Sequence, residues 1–235
     1  MRKVLLVLSV IAAMSVILAG PAYKYGLLGL GTAFYGLRVG LYVGIAALLF
    51  FLFMLVFKRK TLNLSTTILS VLCIVIALGV PLGMRSKASD VPAIHDITTD
   101  MKEPPAFVAI VPLRADAPNP VGYEGEVIAK QQQAAYPELK PMKIAGGIND
   151  VFQAAERVID DLGWQRAEGA LDHTLEATET TFWFGFKDDV VIRLTQENES
   201  TVVNVRSKSR VGRSDLGANA ARIKTFFDLL KNEIK

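Results

Sequence analysis

The stretch "IHDITTD", Ile94 to Asp100, brings His95, Asp96 and Asp100 close together, an imidazole and two carboxylates of the kind that run acid–base catalysis or hold a divalent ion. Only His173 could add a second imidazole, so a metal would lack ligands, and a hydrogen-bonded structural loop is the simpler account of the same residues. A second concentration of chemistry is "RSKSRVGR", where Arg206, Lys208 and Arg210 occupy alternate positions and Arg213 follows. On a strand such cations stand about 6 to 7 Å apart on one face, so they need carboxylates, solvent or an external anion opposite them. Cross-strand pairing with Glu176, Glu179, Asp188 or Asp189 is one outcome. The other is an anion site for a phosphate or lipid headgroup, built from Arg206, Lys208, Arg210 and Arg213 with Arg193 of the neighbouring strand. Asp215 already fills the anion position at the start of the next helix, so such a ligand would lie on the arginine side. Neither a serine elbow, a cysteine nucleophile nor a zinc signature occurs, and the motifs name no catalytic residue, metal or cofactor.

The elements that would position these residues follow from periodicity. "NDVFQAAERVIDDLGW" sets Val151, Phe152, Ala155, Val158, Ile159 and Leu162 on one helical stripe, with Asn149 as a cap and Gly163 as a stop. A short helix is expected in "YEGEVIAKQQQAAYPELKP", ending before Pro137. Strand signals cover Trp164–Ala167, His173–Phe186, Val190–Thr195 and Thr201–Ser209, with another at Phe107–Val111 in an otherwise Pro-punctuated extended segment. The last helix carries Leu216, Ala220, Ile223, Phe226, Phe227 and Leu230, and starts at Ser214 or Asp215. Helix, consecutive strands and helix imply an α+β fold, an antiparallel sheet with the helices packed on one face. Alternation then turns Val203, Val205, Ser207, Val190, Ile192 and Leu194 toward the helices, and Asn204, Arg206, Lys208, Arg210 and Arg193 to the opposite face, expected to be exposed.

That domain occupies residues 88–235; the first 87 residues are different in kind. No Asp or Glu precedes Asp90, and seven cations (Arg2, Lys3, Lys24, Arg38, Lys58, Arg59 and Lys60) fall before residue 85, leaving 19 Lys/Arg against 23 Asp/Glu beyond. The basic balance of the whole chain is therefore a membrane-flank effect, which argues against nucleic acid as a partner. Three apolar stretches, 4–22, 39–57 and 64–84, are long enough to cross a bilayer. The first also fits a signal peptide, though Leu18 and Pro21 make poor cleavage surroundings. Between the first two lies "YKYGLLGLGTAFYGLR", 23–38, aromatic-rich and flanked by Lys24 and Arg38, expected as an interfacial segment. Its glycines lack the strand and the Lys-Ser/Thr of a phosphate loop. "KRK" at 58–60 belongs in the cytoplasm by the positive-inside rule, which sends the domain after the last span to the periplasmic side of a bacterial inner membrane. Cys73, the single cysteine, lies within the third stretch, so the domain has no disulfide framework.

"IHDITTD" with "EPPAF", "QQQAAYPELKP", "GFKDDVVIR" and "VRSKSRVGRSDLGANAARI" together resemble the bacterial domain-of-unknown-function family 1499, over Ile94 to Leu230. The resemblance implies membrane attachment and no established activity. The helix–strands–helix order also resembles the helix-grip modules of some envelope lipoproteins, an analogy of fold alone.

Three functional classes follow as expectations. The leading one is a non-enzymatic binding or scaffold module of the cell envelope, anchored in the lipid bilayer and contacting an anionic lipid or an envelope protein through the polar sheet face. The second is a membrane-bound hydrolase or transferase using His95, Asp96 and Asp100. The third is a structural subunit of a membrane complex, held by its spans.

Overall fold

The computed structural model describes residues 1–234, which cluster into two compact units. The first comprises Met1–Lys87 together with Phe182–Gly185; the second comprises Ala88–Thr181 and the chain from Phe186 on.

In the first unit, α1 (Arg2–Ile17) runs through Leu18 into α2 (Ala19–Lys24), and α3 (Leu30–Phe57) and α4 (Leu64–Asp90) follow. Three helical stretches, Arg2–Lys24, Leu30–Phe57 and Leu64–Asp90, are long and apolar enough to cross a membrane. At 1.5 Å per residue, α3 extends about 42 Å, beyond the roughly 30 Å of a hydrocarbon core. It begins nine residues before the expected 39. Only the turn between Lys24 and Leu30 remains of the interfacial segment, with Gly26 at φ 71°. Two glycines within the expected span are packing positions. A Cβ on Gly40 would lie 2.5 Å from Val16 Cγ2 and 2.9 Å from the Ala12 carbonyl of α1; one on Gly44 would lie 2.9 Å from Ala77 Cβ of α4. Backbone approach of this kind offsets the ~1 kcal/mol that each glycine costs a helix.

The second unit is a six-stranded antiparallel sheet with helices, the α+β arrangement expected from the sequence. Its strands are β1 (Asp96–Thr98), β2 (Met142–Ala145), β3 (Gln165–Arg166), β4 (Thr174–Thr180), β5 (Lys187–Glu197) and β6 (Ser200–Ser209), in the order β1-β6-β5-β4-β3, with β2 also on β6. The helices are α5 (Glu126–Ala135), α6 (Ile148–Asp161) and α7 (Ala218–Glu233). Helix α6 starts one residue before Asn149; the Ile148 amide donates to Gln196 Oε1 at 2.7 Å. Gly163 ends it at φ 68°, a conformation that suits glycine. At the start of α7, Asp215 accepts the Gly217 and Asn219 amides. Burial pushes the Asp215 carboxyl upward, and those two amides oppose the shift.

Strand alternation sorts the faces as expected. Val190, Ile192, Leu194, Val203 and Val205 join Val151, Val158 and Ile159 of α6 and Ile223, Phe226 and Leu230 of α7 in one core, where Trp164 stacks on Phe226 at 6.0 Å. The opposite face is where expectation and structure part. It is not open to solvent: the segment between β1 and α5, with a single 3-10 turn at Val111–Arg114, lies over it and packs Phe107 and Ile110 on Val191. The strand expected at Phe107–Val111 does not form. The amides of Val108, Ala109 and Ile110 instead donate to the carboxylate of Glu176 on β4, at 2.8, 3.1 and 2.9 Å.

Candidate functional site

Beneath that covering segment the basic row of β6 meets a matching set of carboxylates. Asp96 of β1, fully buried, accepts Arg206 Nε at 2.9 Å and Nη2 at 2.8 Å, a bidentate pair, and Lys208 Nζ at 2.9 Å. Lys208, at 0% exposure, also donates to the Gly122 carbonyl at 2.8 Å and to Glu124 Oε1 at 3.2 Å. The Arg206 guanidinium lies between the rings of Phe107 and Tyr123, 5.1 and 5.4 Å from their centroids, and donates to the carbonyls of Pro105 and Val121. One step along the sheet, Asp189 of β5 accepts Arg210 Nε at 2.9 Å and Nη2 at 2.8 Å, Arg114 Nη1 at 2.6 Å and Thr178 Oγ1 at 2.6 Å.

Taken together, Asp96, Glu124 and Asp189 pair with Arg206, Lys208, Arg210 and Arg114, and Glu176, which takes backbone amides, brings the carboxylates on this face to four. Burying an unpaired charge costs several kcal/mol, whereas here Asp96, Asp189 and Glu176 each accept three or more hydrogen bonds and the half-exposed Glu124 accepts Lys208, so the face closes as a neutral network. The expectation of an exposed basic row is thereby corrected for Arg206 and Lys208, because counter-charges and a covering segment far away in sequence remove them from water. Their main counter-ion is Asp96; of the carboxylates expected opposite the row, Asp189 takes Arg210. Glu179 and Asp188 lie elsewhere, paired with Arg222 of α7, which also donates to Ser207 Oγ and Asn219 Oδ1.

The remaining expected residues are dispersed. Arg193 pairs with Asp100 at 3.2 Å and donates to the Glu103 carbonyl; Asp100 also accepts the amides of Lys102 and Glu103, fixing its own turn. His95 Nε2 stands 2.9 Å from Glu124 Oε1 without hydrogen-bond alignment, so His95 meets Glu124 and not Asp100. Arg213 is exposed and has no carboxylate partner among the described residues. The Tyr123 hydroxyl is buried without a partner. Burial first, then the Asp96 charge, pushes that phenol up to about 12, with Arg206 working in the opposite direction.

Sequence reasoning missed Arg114, Glu124 and Arg222; Glu176, expected opposite the cations, binds three backbone amides instead. The available signal was charge balance: a strand with alternating cations requires an equal number of acids within reach, and "DD" at 188–189 on the next strand supplies only part of them. Among the described residues no group of three or more His, Cys, Asp or Glu side chains is placed to hold a metal ion. A cleft of about 300 Å³ lies beside β3 and β4, lined by Glu156, Arg166, Glu168 and Glu176 among others, with Arg166 tied to Glu156 at 2.6 Å and to Asp160. Chemically, the network is suited to holding an irregular covering layer in one geometry.

The chain matches no curated protein. Residues 96–230, more than half of its length and nearly all of the sheet domain, match the family described as "Protein of unknown function (DUF1499)". The match begins at Asp96, the central acceptor of the buried network, and ends at Leu230 in the helical core, so the domain folded around that network is the domain of this family, to which the chain belongs.

Proposed function

We propose that the protein is a membrane-anchored binding or scaffold module of the bacterial cell envelope, with its sheet domain on the periplasmic side of the inner membrane. The observation that carries this reading is the joining of three apolar spans to a domain whose candidate reactive charges are spent on one another. Orientation rests on Lys58, Arg59 and Lys60 between the second and third spans, a cluster that favours the cytoplasm. A phosphatase reporter fused after Lys235 should be active and one fused after Lys60 inactive; activity of the Lys60 fusion alone would refute the orientation.

With Arg206 and Lys208 enclosed, the contact surface for an anionic partner shifts to the end of the sheet where β5 begins and β6 ends. There Arg213 and Lys187 are exposed and lack carboxylate partners among the described residues, and Val111 and Leu113 of the 3-10 turn expose aliphatic surface beside them. Arg210 links these pieces, its amide donating to the Lys187 carbonyl and its guanidinium to that of Leu113. Exposed cations flanking an apolar patch suit an anionic lipid headgroup or an acidic protein surface. The test is mass spectrometry of lipids and proteins that copurify with the full chain from mild detergent. Loss of a specific companion in Lys187→Glu with Arg213→Glu supports the reading, and an unchanged set of companions counts against this surface. The hydrolase or transferase alternative, built on His95, Asp96 and Asp100, requires that His95→Ala abolish a turnover that the double reversal leaves intact.

A further inference from the structure

The four residues between β4 and β5 that fall in the membrane unit, Phe182 to Gly185, follow the third span by more than ninety residues. Their contacts within that unit are specific. Trp183 Nε1 donates to the Ile17 carbonyl at 3.0 Å, and its indole lies so close to α2 that a Cβ on Gly20 would stand 2.5 Å from Trp183 Cδ1. Phe184 is buried, stacked on Phe34 of α3 at 5.6 Å and tilted against Tyr23 at 6.2 Å. Lys24 donates to the Phe182 carbonyl at 3.0 Å and holds its ammonium 5.5 Å from the Phe182 ring centroid. Gly185, at φ 68°, leaves room for the Lys24 stem, which a Cβ there would meet at 2.7 Å.

Phe182 itself is 91% exposed. It stands beside Lys24, the last residue of the first span, and the turn to α3 that follows exposes Tyr25 and Leu27 as well. Aromatic rings and a lysine at the end of apolar spans form the pattern of residues that settle at the boundary of headgroups and acyl chains. An ammonium has three donors, and the Phe182 carbonyl takes one, which leaves Lys24 able to meet a lipid phosphate.

We propose that Phe182, with Lys24, Tyr25 and Leu27, forms a fourth membrane contact, a turn that inserts its exposed ring into the interfacial layer of the bilayer. The occupant of this surface is lipid, because the surface is continuous with helices apolar enough to span. The inference rests on the reading that those helices cross a membrane, and the test separates the two. The full chain carrying Cys73→Ala is given one new cysteine, Phe182→Cys or Leu49→Cys on the exposed face of α3, nitroxide-labelled and reconstituted into phosphatidylethanolamine–phosphatidylglycerol vesicles. Collisions with oxygen, which concentrates in the bilayer, are compared with those of a water-soluble nickel chelate. Oxygen-dominated relaxation at both positions, shallower at Phe182, is the expected result. Nickel-dominated relaxation at Phe182 with oxygen-dominated relaxation at Leu49 overturns the inference alone, and nickel-dominated relaxation at Leu49 overturns the membrane reading with it. A second measurement spares Phe182: in Trp164→Phe, the remaining Trp183 should be quenched by lipids brominated near the headgroup, and absence of that quenching also overturns the inference.

Discussion

Asp96→Asn tests the buried network most directly. The substitution keeps size and shape but removes the charge that faces Arg206 and Lys208, both of which remain enclosed. Breaking a buried pair by removing one partner costs about 3 to 5 kcal/mol, because the surviving charge stays out of water. Here two cations share one acceptor. Glu124 can still serve Lys208, while Arg206 retains only carbonyls and two aromatic faces. The expected loss is therefore at the upper end of that range, about 4 kcal/mol, a large part of the ~5 to 15 kcal/mol that holds a domain together. Denaturant unfolding of the full chain in detergent, followed through the fluorescence of core Trp164 in a Trp183→Phe background, measures it. Salt supplies a second criterion: pairs out of contact with solvent escape the roughly 8 Å screening that weakens exposed ones, so the difference between wild type and variant should survive high ionic strength. A loss below about 0.5 kcal/mol, or one abolished by salt, would mean that the covering segment does not enclose these charges.

Two further outcomes follow from the same structure. Ile223→Ala, at a side chain with no solvent exposure between α7 and the sheet, should cost about 2 to 5 kcal/mol in the same assay, and a value under about 0.5 would misplace the helix. The Tyr123 phenol is pushed up to about 12 in the fold against about 10 in an unfolded chain, so the folded state loses stability as pH rises from 10 through 12, on the order of 1 kcal/mol because the side chain is partly open to solvent. Because its hydroxyl has no partner to lose, Tyr123→Phe should flatten that alkaline decline with little change at pH 7, and identical pH profiles for the two chains would contradict it.

Elements with a periodic signature were legible in the sequence. The α6 stripe, the alternation of β5 and β6 and the three apolar runs each report a local environment, and each stands where its periodicity puts it. The start of α3 was hidden because Arg38 and the aromatic residues before it read as the edge of a span, whereas the helix continues back through them to Leu30. The enclosure of Arg206 and Lys208 was hidden for a related reason. Cations at every second position look like a wet face, and what excludes the water is a segment about a hundred residues earlier without period of its own. Family likeness was readable from motifs, but those motifs mark the residues that build the network.

The network also explains how so irregular a layer can lie on a sheet. Buried backbone groups must find partners, and a segment that is neither strand nor helix over most of its length cannot supply them from within. Side chains of the ladder do so. Arg206 serves the carbonyls of Pro105 and Val121, Lys208 that of Gly122, Arg210 that of Leu113, and Glu176 takes three amides. An isolated buried ion pair can often be exchanged for apolar residues without loss. Here the joint replacement Asp96→Leu, Arg206→Met and Lys208→Met would remove the charges yet strand the carbonyls of Pro105, Val121 and Gly122, at about 1 to 3 kcal/mol each where no water reaches them. The triple variant should therefore remain destabilised relative to wild type. Its covering segment should open ahead of the core, seen as faster protease cleavage between residues 101 and 125 and faster amide exchange there than in β5 and β6. Wild-type stability and protection in that variant would show that the pairs stabilise nothing beyond one another.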